Sequence, residues 1–280
     1  MKNIYATVFI LVSSLSIHAQ YYYKDIIGTQ EINQTIKLYL TNKVLAAEAT
    51  GFDGDGVKDN DFSETHNFFA DQTLLKISTR NKTNIANEFY RFNSKGFLTS
   101  VSDTSSSVIS TTSYSYDDKN NPVIIKNIVT DAHDSIYVNE VHQWFYNNEG
   151  RPLNMLRIVN NNDTTDVRFT LDEKRNVIEE LPFIKKISRE KIYYYYDLKN
   201  RLTDIVRFNI KAGRLLPDYM FEYSEQNQVT QKITTLSTLG LGYLIWRYVY
   251  DNKGLKIKEA SFNRDKVMTG KIEYSYRFGQ

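Results

Sequence analysis

The 280-residue chain contains no cysteine. That absence excludes disulfides, thiolate metal sites, cysteine nucleophiles and a lipid-modified cysteine together. Proline is scarce (4) and so is glycine (12), while tryptophan occurs twice. There is no charge bias: 35 Lys and Arg stand against 33 Asp and Glu, a formal +2. A nucleic-acid partner would ordinarily leave a basic stripe, so near-neutrality argues against one. No G-x-S-x-G, P-loop or G-x-G-x-x-G fingerprint occurs. His66, His133 and His142 show no i, i+4 pair of the kind that places two imidazoles on one helical face. Beyond the N-terminus, no stretch is long and apolar enough for a transmembrane helix.

What the chain does have is aromatic: 21 Tyr and 15 Phe, residues that suit a pleated, half-buried surface. The N-terminus reads as a secretory leader over residues 1–19. A short basic start (Met1-Lys2-Asn3) precedes an apolar run from Ile4 to Ile17, and small Ala19 sits before Gln20 at the expected cut. Tyr21-Tyr22-Tyr23 follows, either a short strand or an aromatic anchor. Ile32, Ile36, Tyr39, Leu40 and Lys43 then recur on one face of a helix, expected over about residues 29–42 with Thr29 as N-cap and Asn42 as stop. Its apolar face predicts packing on one face or end of a sheet.

The dominant pattern is a repeat. Lys191 to Phe208 reads as an aromatic β-run (Tyr193 to Tyr196), a turn (Asp197-Leu198-Lys199-Asn200) and a second alternating run, which together make a β-hairpin. An aromatic or apolar residue, then Asp, Asn or Ser, a two-residue spacer and a turn residue recur from Phe52, Phe92, Tyr116, Tyr146, Leu171, Tyr196, Tyr223 and Tyr250, with a variant at Phe262. From Phe92 to Tyr250 the intervals are 24, 30, 25, 25, 27 and 27 residues. A period of this size governs the fold. Polar turns between these sites halve each repeat into two strands, predicting an antiparallel meander of roughly sixteen strands. Right-handed twist then curls it or closes it into a barrel. Pro122 and Pro152 follow turns, where a lost ladder donor is tolerated, and Leu181-Pro182-Phe183 reads as a longer loop or bulge.

Tyr194-x-Tyr196-Asp197-x-x-x-Arg201-Leu202-Thr203-x-Ile205 resembles the YD repeat of RHS-type proteins, roughly Y-x-Y-D-x-x-G-R-L-x-x-I, with Asn200 where that repeat carries Gly. Both residues accept a left-handed backbone. The resemblance implies repeats that build β-strips, which in long members wrap into a shell around a cargo toxin. A chain this short has no room for a toxin domain.

The expected fold class is therefore all-β: an antiparallel meander of repeated hairpins forming a curled sheet or barrel-like shell, with one N-terminal helix. It occupies a single domain over residues 20–280. Two features invite functional readings. Asp53, Asp55 and Asp59 alternate as hard oxygen ligands for calcium would, but Phe52-Asp53-Gly54-Asp55-Gly56 also has the spacing of a repeat turn. Trp144, Tyr194 and Trp246 are candidates for an aromatic surface that stacks on a carbohydrate or a cell-surface protein, or for cross-strand pairs that stabilise the sheet. The leading functional reading is an exported, non-enzymatic β-scaffold, periplasmic, cell-surface or secreted. An outer-membrane β-barrel is the first alternative, since strands alternate toward the C-terminus at Tyr274, Tyr276 and Phe278. A carbohydrate-active hydrolase built on two carboxylates is the second.

Overall fold

The chain closes on itself. In a computed structural model describing residues 21–69, 73–104, 108–131, 137–235 and 242–279, one helix is followed by nineteen strands. The leader read over residues 1–19 lies outside the described residues, as do parts of three expected turns, including His133.

Helix α1 spans Lys24–Thr41. The strands run β1 Val44–Asp53, β2 Lys58–Phe68, β3 Leu74–Asn81, β4 Asn84–Phe92, β5 Leu98–Asp103, β6 Val108–Tyr116 and β7 Pro122–Asp131. They continue with β8 Tyr137–Tyr146, β9 Pro152–Val159, β10 Asp163–Leu171, β11 Val177–Ile184, β12 Ile187–Ser188 and β13 Ile192–Tyr196. The last are β14 Leu202–Asn209, β15 Arg214–Tyr223, β16 Val229–Thr235, β17 Tyr243–Tyr250, β18 Lys256–Phe262 and β19 Met268–Phe278. All pairings are antiparallel; apart from β11–β13 they join sequence neighbours or, between β1 and β19, close the ring, so the sheet has no free edge. β12 and β13 both pair with β11 and form one interrupted stave. The nineteen strands thus make an eighteen-stave barrel, two more than the repeat count suggests.

The interruption has a local cause. Leu181-Pro182-Phe183 is strand rather than loop, with Pro182 opposite Val167. The Pro182 carbonyl accepts the Arg189 N–H, so the missing proline donor falls on the β12–β13 side. The ladder breaks there.

Nine of the hairpin turns have one design. The backbone N–H of Asp53, Asn93, Asp117, Asn147, Asp172, Asp197, Ser224, Asp251 and Asn263 donates to the carbonyl four residues on, and the N–H three residues on returns to the first carbonyl. In seven of them the side-chain oxygen of the first residue also accepts two backbone N–H groups, as Asp197 does from Lys199 and Arg201. The fourth residue is left-handed in all nine: Gly56, Gly96, Asn120, Gly150, Arg175, Asn200, Asn227, Gly254 and Lys266. These are the nine sites of the sequence repeat. Seven lie at one end of the barrel, and those at Asp53 and Asn263 lie at the other.

Helix α1 is inside the barrel. Tyr22 and Ile26 pack with Ile125, Trp144, Met155 and Val167; Ile36 packs with Leu75, Tyr90, Phe92 and Leu98; Tyr39 packs with Val44 and Leu255. Tyr21 meets Tyr219, and Tyr23 meets Tyr194. One helix can touch strands around a closed ring only from within, so it plugs the barrel at the seven-turn end. It also begins earlier than expected, at Lys24, with Thr29 buried mid-helix. Its N-cap, Tyr23, makes no side-chain cap bond. The cap comes from the wall: Glu180 accepts the N–H groups of Tyr22 (2.8 Å) and Tyr23 (2.9 Å). Tyr21 to Tyr23 are thus the anchor rather than a strand.

Candidate functional site

The plugged end is built from two rings. Every strand arriving there ends aromatic-x-aromatic or a near substitute, and alternation turns both residues to the lumen. The outer ring comprises Phe68, Phe92, Tyr116, Tyr146, Leu171, Tyr196, Tyr223, Tyr250 and Tyr276. The inner ring, two residues deeper, comprises His66, Tyr90, Tyr114, Trp144, Phe169, Tyr194, Phe221, Tyr248 and Tyr274. The outer tyrosines act as staples. The hydroxyls of Tyr116, Tyr146, Tyr196, Tyr223, Tyr250 and Tyr276 donate at 2.7–2.9 Å to the carbonyls of Leu98, Pro122, Val177, Leu202, Val229 and Lys256. Each acceptor is the first or second strand residue after the preceding turn, so each hydroxyl ties one hairpin to the last. Leu171 has no hydroxyl, and its place in the chain of staples is apolar.

Two charged clusters hold the helix in these rings. His142 Nδ1 lies 2.5 Å from Asp25 Oδ2, and its Nε2 lies 2.7 Å from Glu140 Oε1. Arg157 forks onto Glu140 at 2.9 and 2.7 Å, and Trp144 Nε1 donates to Asp25 at 3.3 Å. Burial opposes charge on His142, but Asp25 and Glu140 outweigh it and raise its pKa to about 9. Burial likewise opposes charge on Glu140, yet His142 and Arg157 hold it down at about 2. The second cluster centres on Glu180, fully buried. It takes the two helix N–H groups and the Tyr194 hydroxyl (2.7 Å). Burial still raises its pKa to about 7 against those bonds.

Chemically, these are clamps. Both nitrogens of His142 are engaged by carboxylates, which leaves no free lone pair for proton abstraction.

Trp144 (2% exposed) and Tyr194 (1%) lie in the inner ring and belong to no outward surface, because their strand positions face the lumen. Trp246 also faces inward, beside a small cavity lined by Phe62, Glu259, Ser261 and Ile272. The three do not meet in one patch. Asp53 Oδ1 is occupied by the N–H groups of Asp55 and Val57, and Asp59 Oδ1 by that of Asp61. Among the described residues, no group of three or more histidine or acidic side chains is arranged to hold a metal ion. The sequence reading missed Glu180, Asp25 and His142. Their signal is faint: Glu180 sits at the inward position held by Ile125, Met155 and Ile205 after other turns, but Lys232 and Glu259 hold the same place, so a charge there does not single it out.

No protein-family model matches the chain, and no curated protein matches it. Among solved structures it is similar to a porin-like protein from Bacteroides uniformis, with 12% identity and a TM-score of 0.43 over 84% of this chain and 97% of that one. It is also similar to a complex of TcdB2, TccC3 and Cdc42, with 13% identity and a TM-score of 0.34 over 77% of this chain. It spans only 11% of that much longer chain.

Proposed function

We propose that this chain is an exported, non-enzymatic, YD-repeat-like barrel that works in water as a scaffold in the periplasm, at the cell surface or outside the cell. One observation carries the reading: the outward wall is charged at mid-strand around the ring. Glu48, Lys126, Arg168, Asp204, Arg247 and Lys258 occupy outward positions on six staves, in register with outward neighbours such as exposed Tyr195 opposite Asp204 and exposed Val249 opposite Lys258. A lysine or arginine facing lipid at mid-depth costs about 2–4 kcal/mol, and this wall has several. Exposed Phe145, Tyr195 and Phe208 share this wall, while the two aromatic rings at the plugged end point inward, onto the helix. The turn design and the tyrosine staples support the YD-repeat likeness. The non-enzymatic part rests on the clamp geometry of His142 and Glu180, which serves the helix.

The test is fractionation of producing cells, followed by gel mobility with and without boiling. The expected result is protein in the soluble exported fraction, shortened by the leader. Protein recovered only in detergent from the outer membrane, with mobility changed by boiling, overturns the reading. That result favours the membrane-barrel alternative, with which the even stave count agrees.

A further inference from the structure

We propose that two neighbouring hairpins at the end opposite the plug dock the barrel onto an anionic phospholipid surface. The first is the β11–β12 turn. Ile184 pairs with Ile187, so Lys185-Lys186 forms a two-residue loop. Both lysines have positive φ, 50° and 67°. Such a loop ordinarily takes Asn-Gly, which adopts that backbone with little strain. Here two side chains with Cβ atoms and positive charge stand in it instead, and backbone strain of this kind gathers where function requires it. Next to them Ile187 is 63% exposed.

The second is the β14–β15 hairpin, the adjacent turn at the same end. Asn209 Oδ1 accepts the Ala212 N–H and shapes the loop. Ile210 at its tip is 87% exposed, the least covered aliphatic side chain among the described residues at that end. Below it Phe208 and Leu215 form an outward cross-strand pair, 47% and 41% exposed. Lys211 and Arg214 flank the tip, and both are exposed. At the tips of the two hairpins five exposed basic residues (Lys185, Lys186, Arg189, Lys211 and Arg214) stand against one exposed acidic residue, Glu190.

Isoleucines at two tips within a cationic collar match an interface that is negative at the headgroups and apolar just beneath. Among the described turns of this end, the β3–β4 turn shares part of that combination, with exposed Arg80 and Lys82 beside Ile85, and two others lack it. The Asp53 turn carries Asp53, Asp55 and Asp59, and the β9–β10 turn is Asn160-Asn161-Asn162. The proposal rests on the barrel being water-exposed. A protein that needs detergent fails at fractionation, before any vesicle is added, so the two failures are distinguishable.

The experiment is co-sedimentation of the purified mature chain with vesicles of phosphatidylcholine alone, or of phosphatidylcholine with phosphatidylglycerol as a minor component. The expected result is binding to the anionic vesicles only, weakened by added salt. Lys185→Asn with Lys186→Gly is expected to weaken binding on the order of twentyfold, without lowering the melting temperature, because Asn-Gly fits the turn better. Ile187→Ser with Ile210→Ser is expected to weaken binding while leaving its salt dependence in place. No binding to anionic vesicles, equal binding to neutral ones, or unchanged binding by both double variants overturns the proposal. So does retention on dextran sulfate without vesicle binding, which would point to an acidic polymer.

Discussion

The carboxylate of Glu180, on the barrel wall, accepts the backbone N–H of Tyr22 at 2.8 Å across 158 residues of chain. It supplies the cap that the helix lacks locally. Glu180→Ala leaves two backbone donors and the Tyr194 hydroxyl without their acceptor in a buried place. A loss of about 3 kcal/mol is expected, read as a lower urea midpoint. The plug should also loosen. In a Trp246→Phe background, acrylamide should quench Trp144 more readily once Glu180 is gone.

Stability should fall as pH rises from about 4.5 to about 9, and the sign follows from three groups. His142 titrates near 9 in the fold against 6.5 as a free side chain, so its contribution is full below 6.5 and lost as pH climbs through 9. Glu180 and Glu88, both raised by burial to about 7 from 4.5, favour the fold while protonated and lose that advantage between those values. Glu140 opposes them at the acid end: its pKa is near 2, so its contribution disappears as pH drops from 4.5 toward 2. Denaturant titrations across pH should show a maximum at about pH 4–5. His142→Asn should flatten the alkaline limb.

The tyrosine staples should be worth about 1 kcal/mol each. Tyr250→Phe removes only the hydroxyl that reaches the Val229 carbonyl. It should lower stability by that amount without changing the circular dichroism of the folded chain.

At the turns, Lys266 holds a left-handed backbone with φ 60°, where six of the other turns have Gly or Asn within the seven-turn end. Lys266→Gly should stabilise the protein by about 0.5–1 kcal/mol, the relief of strain exceeding the entropy that glycine costs. A rise in melting temperature checks it.

Calcium should leave the melting temperature unchanged, and Asp55→Ala should be close to neutral. The Asp53 carboxylate accepts the N–H groups of Asp55 and Val57 at 3.0 and 2.8 Å, as Asp251 does from Lys253 and Leu255 in an ordinary repeat turn. A calcium-dependent shift would show that the loop has a second use.

The nine turns were legible in the chain because their cause is local. An Asx or Ser side chain, a two-residue spacer and a residue tolerant of positive φ interact within five positions, and spacing records that. The same holds for the alternation of Tyr194 and Tyr196, for prolines placed after turns, and for the all-β class. Closure was not written at any one place. It depends on whether the last strand meets the first, here Ala47 beside Tyr276 and Ala49 beside Tyr274, and that is the sum of twist over every stave. The destination of the helix was equally hidden. Ile36 and Tyr39 announce an apolar face, but a face on a sheet and a face inside a ring have the same periodicity. Only the assembled wall sets Glu180 at the helix start and His142 beside Asp25, contacts that join residues more than a hundred positions apart. The same closure decided the fate of Trp144 and Tyr194. On an open sheet either side of a strand can face water, whereas in a barrel plugged by its own N-terminal helix the inward side is core.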